Sequence, residues 1–269
     1  MAKVTVRGTE LHFERAGSGE PLLLIQGMSG THVSWGEPFK GALEESFDVV
    51  GFDNRGIGLS ARIEDPFTIA EMAEDTAALL EELGIESAHV LGISMGGMIA
   101  QELALGHPDK LRSLTLGCTY CGGSGSELMP QENAEKLLVG LSSGDRDQAI
   151  RAGYEVNLSP AFRADEDAFA AFHEMATSVP AAREIIQLQL QAILGHDASG
   201  RLGEIDLPTL IIHGTVDGVL PFANGKQISS LMPTARFEIL EDVGHMFWWE
   251  QPQRSAELFR EHALAASNA

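Results

Sequence analysis

The chain is short of cysteine, and this shortage excludes several kinds of protein. Its 269 residues contain only two cysteines, Cys118 and Cys121, which are too few for a disulfide framework. Their C-x-x-C spacing lacks both the helix start of a thioredoxin-like motif and a second pair of ligands for a metal ion. We therefore predict two reduced cysteines in a turn and no metal site.

Basic residues are also scarce. Lysine and arginine number 18 against 39 acidic residues, which gives a formal net charge of -21. No cluster of Lys or Arg interrupts this acidic balance, so neither phosphate neutralisation nor polybasic attraction is available. We therefore expect the protein to bind neither nucleic acid nor a membrane surface.

Long hydrophobic runs are the third absence. No apolar run approaches the length of a membrane-spanning helix, and residues 1–8 have no apolar core of signal-peptide length. These features predict a cytoplasmic protein and leave its oligomeric state undefined. A chain of this length can bury the core of one large domain without a metal or disulfide staple.

The sequence does contain an alternation of strand and helix patterns. Apolar and polar residues alternate in 3–7 and 10–15, which predicts an antiparallel hairpin. Residues 22–25 are continuously apolar, as in strands that are covered on both faces, and 47–52 form a further strand pattern.

Helix signals separate the later strands. Thr68 and Glu71 fit a capping box, and Gly84 is a suitable end for the helix that follows them. A strand leads to Ser94, a helix follows it, and the alternation returns after residue 203. This order predicts an α/β fold with a mostly parallel central sheet and helices on both faces.

Between these halves the alternation is interrupted. The intervening stretch contains no convincing strand pattern but has helix-like segments at about 131–140, 145–157, 165–177 and 181–194. We predict a helical cap at 121–202, inserted in a core domain that comprises 1–120 and 203–269.

A candidate nucleophile stands where a strand passes into a helix. Gly92, Ser94 and Gly96 match the pattern G-x-S-x-G, in which a serine occupies a strained turn above the edge of a sheet. Glycines are required beside it because side chains there would collide with the neighbouring backbone. The helix behind Ser94 directs unpaired N–H groups at charge that develops beside the serine. We predict that Ser94 is a nucleophile.

A serine hydroxyl needs a base, and the base needs a carboxylate, before it attacks a carbonyl. His245 follows a late strand through a short loop, and Asp217 follows the buried strand pattern of 208–213. Both side chains are expected at the same rim of the sheet as Ser94. Asp242 is the alternative acid, but its position favours a turn residue. The predicted roles are base for His245 and orienting acid for Asp217.

These motifs give the chain a clear resemblance to the α/β-hydrolase superfamily over essentially its whole length. The nucleophile turn, the Gly56–Ser60 loop, the Asp217 loop and the Gly244-His245 segment occur in that family's order. Within the superfamily the sequence resembles small cap-bearing esterases, lactonases and cofactor-free haloperoxidases, including enol-lactone hydrolases and the aclacinomycin methylesterase group.

The resemblance implies hydrolysis of a carboxylic ester or lactone through a Ser-His-Asp triad and an acyl-enzyme, with no cofactor. The expected substrate is a small ester-like molecule with an apolar portion. Relatives with the same triad also catalyse perhydrolysis or cleave C–C bonds, and other proteins of this fold are slow-turnover ligand receptors. These alternatives stay open at the level of sequence.

An ester hydrolase of this kind also needs two N–H donors for the oxyanion. The predicted donors are the main-chain N–H groups of Met95 and Met28. The family pattern before the second donor is His-Gly, whereas this chain has Gln26-Gly27. We expect this difference to change how the loop is anchored and to leave the backbone donor in place.

The substrate pocket is expected to be mainly apolar. Its candidate lining residues are Gly27, Trp35, Tyr120, Tyr154, Phe172 and Trp248. We further predict that Asp53 and Arg55 form a pair that orders the glycine-rich loop, and that His213 is a core histidine with a satisfied ring.

Overall fold

The central element is an eight-stranded sheet, in a computed structural model that describes residues 2–179 and 181–267. The strands are β1 (Ala2–Val6), β2 (Thr9–Gly17), β3 (Glu20–Ile25), β4 (Phe47–Phe52), β5 (Ala88–Ile93), β6 (Leu111–Gly117), β7 (Thr209–Gly214) and β8 (Arg236–Leu240). Their order across the sheet is β1-β2-β4-β3-β5-β6-β7-β8. The pairs β1–β2 and β2–β4 are antiparallel, and the other neighbours are parallel. The predicted mostly parallel sheet is confirmed.

Helices connect the strands and follow the last one. In chain order they are α1 (Glu37–Glu44), α2 (Ile69–Glu82), α3 (Met95–Gly106), α4 (Gln131–Ser142), α5 (Arg146–Asn157), α6 (Pro160–Arg163), α7 (Glu166–Ser178), α8 (Arg183–Leu194), α9 (Ala223–Leu231), α10 (Phe247–Glu250) and α11 (Pro252–Ser267). Short 3-10 segments occur at His32–Trp35, Pro108–Lys110 and Leu202–Glu204. Within residues 2–179 and 181–267, no helix is long and apolar enough to cross a membrane.

Two local predictions about these elements are confirmed. In the N-terminal hairpin, Val4 lies opposite Leu11 in an antiparallel register. At the start of α2, the Glu71 N–H donates to Thr68 Oγ1 at 3.2 Å, and the Thr68 N–H donates to Glu71 Oε2 at 2.8 Å. Gly84 follows the end of α2 with a φ of 67°, a conformation that glycine adopts without a steric penalty.

Helices α4 to α8 all lie between β6 and β7, where the sequence predicts a cap. Four of them correspond to the predicted helical segments, and α6 is an additional helix of four residues. The structure shows no strand between β6 and β7 in the residues that it describes. Helices α1 and α10 were not predicted from the sequence, since they have only eight and four residues.

The core lies on both faces of the sheet. Side chains alternate across a strand, so Leu22 and Leu24 of β3 pack on one face while Leu23 and Ile25 pack on the other. All four are fully buried. The face of Leu23 is covered by α2 and α3, and the face of Leu22 is covered by α1 and α11. Coverage on both faces explains why this strand is continuously apolar.

Candidate active site

The turn between β5 and α3 holds Ser94 in a strained conformation. Its φ is 53° and its ψ is -125°, outside the conformations that non-glycine residues usually adopt. A Cβ atom at Gly92 would overlap the main-chain oxygen of Gly96, and one at Gly96 would overlap the main-chain oxygen of Ile25. The two glycines are therefore a steric requirement of this turn.

Hydrogen bonds from β6 and the loop after it hold the backbone of Ser94. The Ser94 N–H donates to the oxygen of Gly117 at 2.9 Å, and the Thr119 hydroxyl donates to the oxygen of Ser94 at 2.7 Å. The side chain of Ser94 is partly exposed. Its hydroxyl has no hydrogen-bond partner in the part of the chain that the structure describes. The hydroxyl is therefore accessible for reaction.

His245 and Asp217 meet at the same edge of the sheet. Asp217 follows β7 and His245 follows β8, and parallel strands place both loops at the carboxyl edge from which Ser94 also emerges. The His245 Nδ1 atom lies 2.8 Å from Asp217 Oδ2, and both residues are buried. Asp242 is exposed, with a φ of 59°, so it occupies a turn as the sequence indicates.

The carboxylate of Asp217 is hydrogen-bonded on both oxygens. Its Oδ1 accepts the N–H groups of Val219 at 2.8 Å and Leu220 at 2.9 Å. Its Oδ2 faces His245 and also His213, whose Nε2 atom lies 3.1 Å away. Burial by itself would raise the pKa of Asp217, but the two histidines hold that pKa well below its usual value. The acid is therefore ionised and fixed in position.

His213 is a contact of the acid that sequence reasoning missed. The sequence predicts a core histidine with a satisfied ring, and the side chain is indeed buried at the end of β7. Its Nε2 atom lies 2.9 Å from the oxygen of Leu220 as well as close to Asp217. Its Nδ1 atom is buried and has no hydrogen-bond partner among the described residues. Only one ring nitrogen of His213, Nε2, therefore has hydrogen-bond partners, and this nitrogen is the one that lies next to Asp217.

The two predicted oxyanion donors belong to the start of α3 and to the loop after β3. Met95 is the first residue of α3, and Met28 lies in the loop after β3. Neither N–H has an acceptor within the described ranges of the chain. The loop passes directly against the nucleophile turn, since a Cβ atom at Gly27 would lie 2.9 Å from the Cβ atom of Ser94.

The loop after β3 is anchored by glutamine side chains. Gln26 accepts the N–H of Gly27 at 3.2 Å through its own Oε1 atom. Gln189 of α8 accepts the N–H of Ser29 at 2.9 Å and so ties the same loop to the helices between β6 and β7. These contacts support the prediction that replacing the family's histidine alters the anchoring of the loop.

Three comparisons with known proteins agree with this architecture. A family model described as alpha/beta hydrolase fold matches residues 20–153. The "Putative carbamate hydrolase RutD" of Azorhizobium caulinodans is 31% identical over 240 residues, which cover 88% of this chain and 89% of that protein. The chain belongs to the α/β-hydrolase family.

Solved structures show the same similarity for this α/β-hydrolase. Est816, described as an N-acyl homoserine lactone degrading enzyme, has a TM-score of 0.80 and 26% identity, with 97% of this chain and 99% of that chain covered. A thermophilic esterase from Thermogutta terrifontis has a TM-score of 0.80 and 25% identity, with 98% of each chain covered. The chain is an enzyme of the hydrolase class.

The α/β-hydrolase has a cavity of about 490 Å³ above the nucleophile turn. Ser94 and His245 line it together with Met28 and Gly27. The other lining side chains are mostly apolar and come largely from the segment between β6 and β7, including Leu137, Leu141, Ile150, Phe172, Met175 and Ile186. The predicted apolar character of the pocket agrees with this lining.

Three of the six pocket residues predicted from the sequence line the cavity, and three do not. Gly27, Phe172 and Trp248 border it, whereas Trp35, Tyr120 and Tyr154 are packed elsewhere.

The three corrected residues are held by other contacts. Trp35 stacks against Phe39 with a ring centroid distance of 5.9 Å. The Tyr120 hydroxyl donates to the oxygen of Ile193 at 2.5 Å, and the Tyr154 hydroxyl donates to the oxygen of Asp165 at 3.0 Å. Tyrosine suits such positions, because its ring packs in the core while its hydroxyl donates a hydrogen bond to a main-chain oxygen.

The predicted pair between Asp53 and Arg55 is wrong. Arg55 donates to Asp75 of α2 at 2.6 Å, while Asp53 turns inward. The Oδ1 atom of Asp53 accepts the N–H of His32 at 2.7 Å and lies 2.9 Å from the His32 Nδ1 atom. Residue neighbours in a loop can point to opposite sides, and only the packing of the loop decides which partner each one meets.

One group of described residues brings ligand-type atoms together. His12, His32 and Asp53 place three such atoms within 4.8 Å of one another. Both oxygens of the Asp53 carboxylate already accept hydrogen bonds. Oδ2 accepts the N–H of Leu59 at 2.8 Å, and Oδ1 accepts the N–H of His32. The bond to Asp53 raises the pKa of His32, whereas burial lowers the pKa of His12. These contacts order the loop after β4.

Both cysteines are free and buried, as predicted for reduced residues. Burial raises the pKa of the thiol in Cys118 and in Cys121, so neither is a reactive thiolate.

Proposed function

We propose that this α/β-hydrolase is a serine hydrolase that cleaves carboxylic esters or lactones. The observation that carries the proposal is the 2.8 Å contact between His245 and the buried Asp217 on the cavity that Ser94 also lines. The reactions named for Est816 and for the Thermogutta terrifontis esterase support the substrate class.

In the first half of the reaction, the Ser94 hydroxyl attacks the carbonyl carbon of the substrate. The Nε2 atom of His245 takes the hydroxyl proton, while Asp217 accepts the Nδ1–H hydrogen bond and stabilises the imidazolium. Before substrate binds, the Ser94 hydroxyl has no hydrogen-bond partner among the residues that the structure describes. Hydrogen bonds of this kind often align only when substrate is bound.

The negative charge on the carbonyl oxygen is received by the N–H groups of Met95 and Met28. Both groups are free to accept this role, and Met95 adds the positive end of the α3 dipole. Protonated His245 then gives its proton to the leaving alcohol, and the acyl group remains on Ser94.

In the second half, water attacks the acyl-enzyme with His245 as the base. The proton returns to Ser94 as the acid product leaves. The reaction requires water and these side chains, and no step of it uses a cofactor.

A fluorophosphonate probe tests the nucleophile. We expect intact-mass measurement to show one adduct on the native protein and on the Ser94→Ala variant none. Ser124→Ala is the matched control, because Ser124 is an exposed serine outside the cavity. Persistent labelling of Ser94→Ala would contradict the assignment.

Turnover of p-nitrophenyl butyrate separates an enzyme from a ligand receptor. Sustained release of p-nitrophenol supports the proposal, whereas one equivalent followed by a stalled adduct indicates a receptor. A panel of esters, lactones, thioesters, carbamates and vinylogous diketones, with Ser94→Ala as the blank, then ranks the bond types. Preference for the diketones over every ester and lactone would overturn the proposed reaction.

A further inference from the structure

The cavity above Ser94 is lined by one cationic side chain. Arg146, the first residue of α5, is the only Lys or Arg among the described residues that border it. No Asp or Glu of those residues borders it either. Arg146 and Leu141 are exposed to solvent as well as lining the cavity, so they mark the side on which it opens.

The side chain of Arg146 has no partner among the described residues. Its guanidinium forms no ion pair or hydrogen bond with the residues at 2–179 and 181–267, although acidic residues outnumber basic ones by 39 to 18 in the sequence. Further along α5, Arg151 donates to Glu166 at 2.7 Å and lies over the Phe169 ring at 3.4 Å. One arginine of this helix is therefore committed to the structure, and the other is free.

The carboxylates on either side of Arg146 are committed elsewhere. Asp145 caps α5, with its Oδ1 atom accepting the N–H of Asp147 at 2.9 Å and its Oδ2 atom accepting Gln148 Nε2 at 3.1 Å. Asp147 lies 2.9 Å from the Nε2 atom of His173. The guanidinium of Arg146 thus keeps its donors available for a group that enters the cavity.

We propose that Arg146 binds a carboxylate on the substrate, so that the preferred esters or lactones carry a free carboxylate at the far end of an apolar acyl chain. This inference rests on the proposed function. The acyl group occupies the site in both halves of the reaction, since it is transferred to Ser94 in the first half and released from Ser94 by water in the second. A contact with its far end therefore serves acylation and deacylation alike. Arginine suits the role because its planar donors match a carboxylate.

The net charge of the protein makes such a residue useful. At -21 the chain repels anions as they approach, and a cation at the opening of the cavity offsets this repulsion locally. Because Arg146 is exposed, the attraction is expected to weaken as ionic strength rises.

The test compares two series of p-nitrophenyl esters. One series contains hemiesters of straight-chain diacids, from succinate to suberate, and the other contains neutral monoacid esters of matched chain length. We expect the best hemiester to exceed its neutral counterpart about tenfold in kcat/KM, as one charge-assisted hydrogen bond permits. The preference should fall with added salt.

Arg146→Met removes the charge and keeps an unbranched, flexible side chain. We expect this variant to lower the ratio of kcat/KM between the best hemiester and its neutral counterpart about tenfold, mainly through a higher KM for the hemiester. Arg146→Lys should retain part of the preference. Arg183→Met is the matched control, because Arg183 also begins a cap-segment helix, is exposed and lies outside the cavity.

Two results would overturn the inference. One is equal kcat/KM for hemiesters and neutral esters in the native protein, and the other is the same loss of preference in Arg183→Met as in Arg146→Met. Both leave ester hydrolysis intact. Failure of the proposed function is distinguishable, because no ester of either series would then be hydrolysed in a manner that depends on Ser94.

Discussion

The sheet and the segment between β6 and β7 differ in how firmly they hold their side chains. Every residue of β5 and of β7 is buried. Helix α4 buries only Gly140, and its Leu138, Val139 and Leu141 are 64%, 68% and 67% exposed. Ser94 and Asp217 follow the buried strands β5 and β7, whereas much of the cavity wall belongs to the less buried helices.

This difference separates chemistry from substrate choice. The proposed reaction needs Ser94, Asp217 and His245 in fixed positions relative to one another, and all three residues follow strands at the carboxyl edge of the sheet. Most of the side chains that line the cavity are other residues, and many of them lie between β6 and β7. Relatives that share the sheet can therefore act on different molecules.

The largest effect is expected from Asp217→Asn, a substitution in the loop that follows the buried strand β7. Asparagine preserves the size of the side chain but loses the charge that holds His245 in its working tautomer. We expect kcat for p-nitrophenyl butyrate to fall about 10⁴-fold, with little change in Tm.

Asp242→Asn is the control for this variant, because Asp242 is exposed in a turn. If Asp217→Asn keeps its activity and Asp242→Asn loses it, the acid has been assigned to the wrong residue.

A pair of glycine variants compares the nucleophile turn with helix α5 through the free energy of unfolding. In Gly96→Ala the new Cβ atom overlaps the oxygen of Ile25, and we expect the free energy of unfolding to fall by roughly 3 kcal/mol. In Gly153→Ala, inside α5, the Cβ atom meets nothing within 4 Å, and we expect a gain of roughly 0.5–1 kcal/mol. Urea unfolding followed by tryptophan fluorescence gives both values.

Equal unfolding free energies for the two glycine variants would show that the nucleophile turn is not sterically constrained. The nucleophile turn would then be no more tightly packed than helix α5.

The smallest effect is expected from two histidine–carboxylate pairs. Asp53 raises the pKa of the buried His32, so the pair stabilises the fold fully below the ordinary histidine pKa and loses this contribution as pH rises through the raised value. His32→Gln should therefore lower the unfolding free energy more at about pH 5.5 than at about pH 9.

The pair of His173 with Asp147 is the control in the segment between β6 and β7, because its side chains are 35% and 77% exposed. Exposed ion pairs contribute little, so His173→Gln should follow the native protein at every pH. A larger pH-dependent loss of unfolding free energy in His173→Gln than in His32→Gln would contradict this expectation. The exposed pair would then contribute more to stability than the buried one.

Local patterns in the sequence were sufficient for most of the fold. The capping box of Thr68 and Glu71 and the helical segments between β6 and β7 depend on short-range geometry, and both appear in the structure. The short helix α10 was missed because four residues, Phe247–Glu250, carry no helical periodicity.

The pocket could not be predicted to the same degree. Trp35, Tyr120 and Tyr154 carry the same apolar signal as Phe172 and Trp248, yet only the latter two border the cavity. Which side of a helix or loop faces a cavity depends on how several elements pack together, and no single segment encodes that arrangement.

The sequence by itself determined the nucleophile turn and the chain order of Ser94, Asp217 and His245. The steric demand at Gly92 and Gly96 is local, so it is visible in five residues. Only the tertiary structure shows that Asp217 also meets His213, and that Arg146 borders the cavity with no side-chain partner in the described part of the chain. Those contacts join residues from packed loops and helices, and long-range packing is the physical reason that they become apparent only in the folded chain.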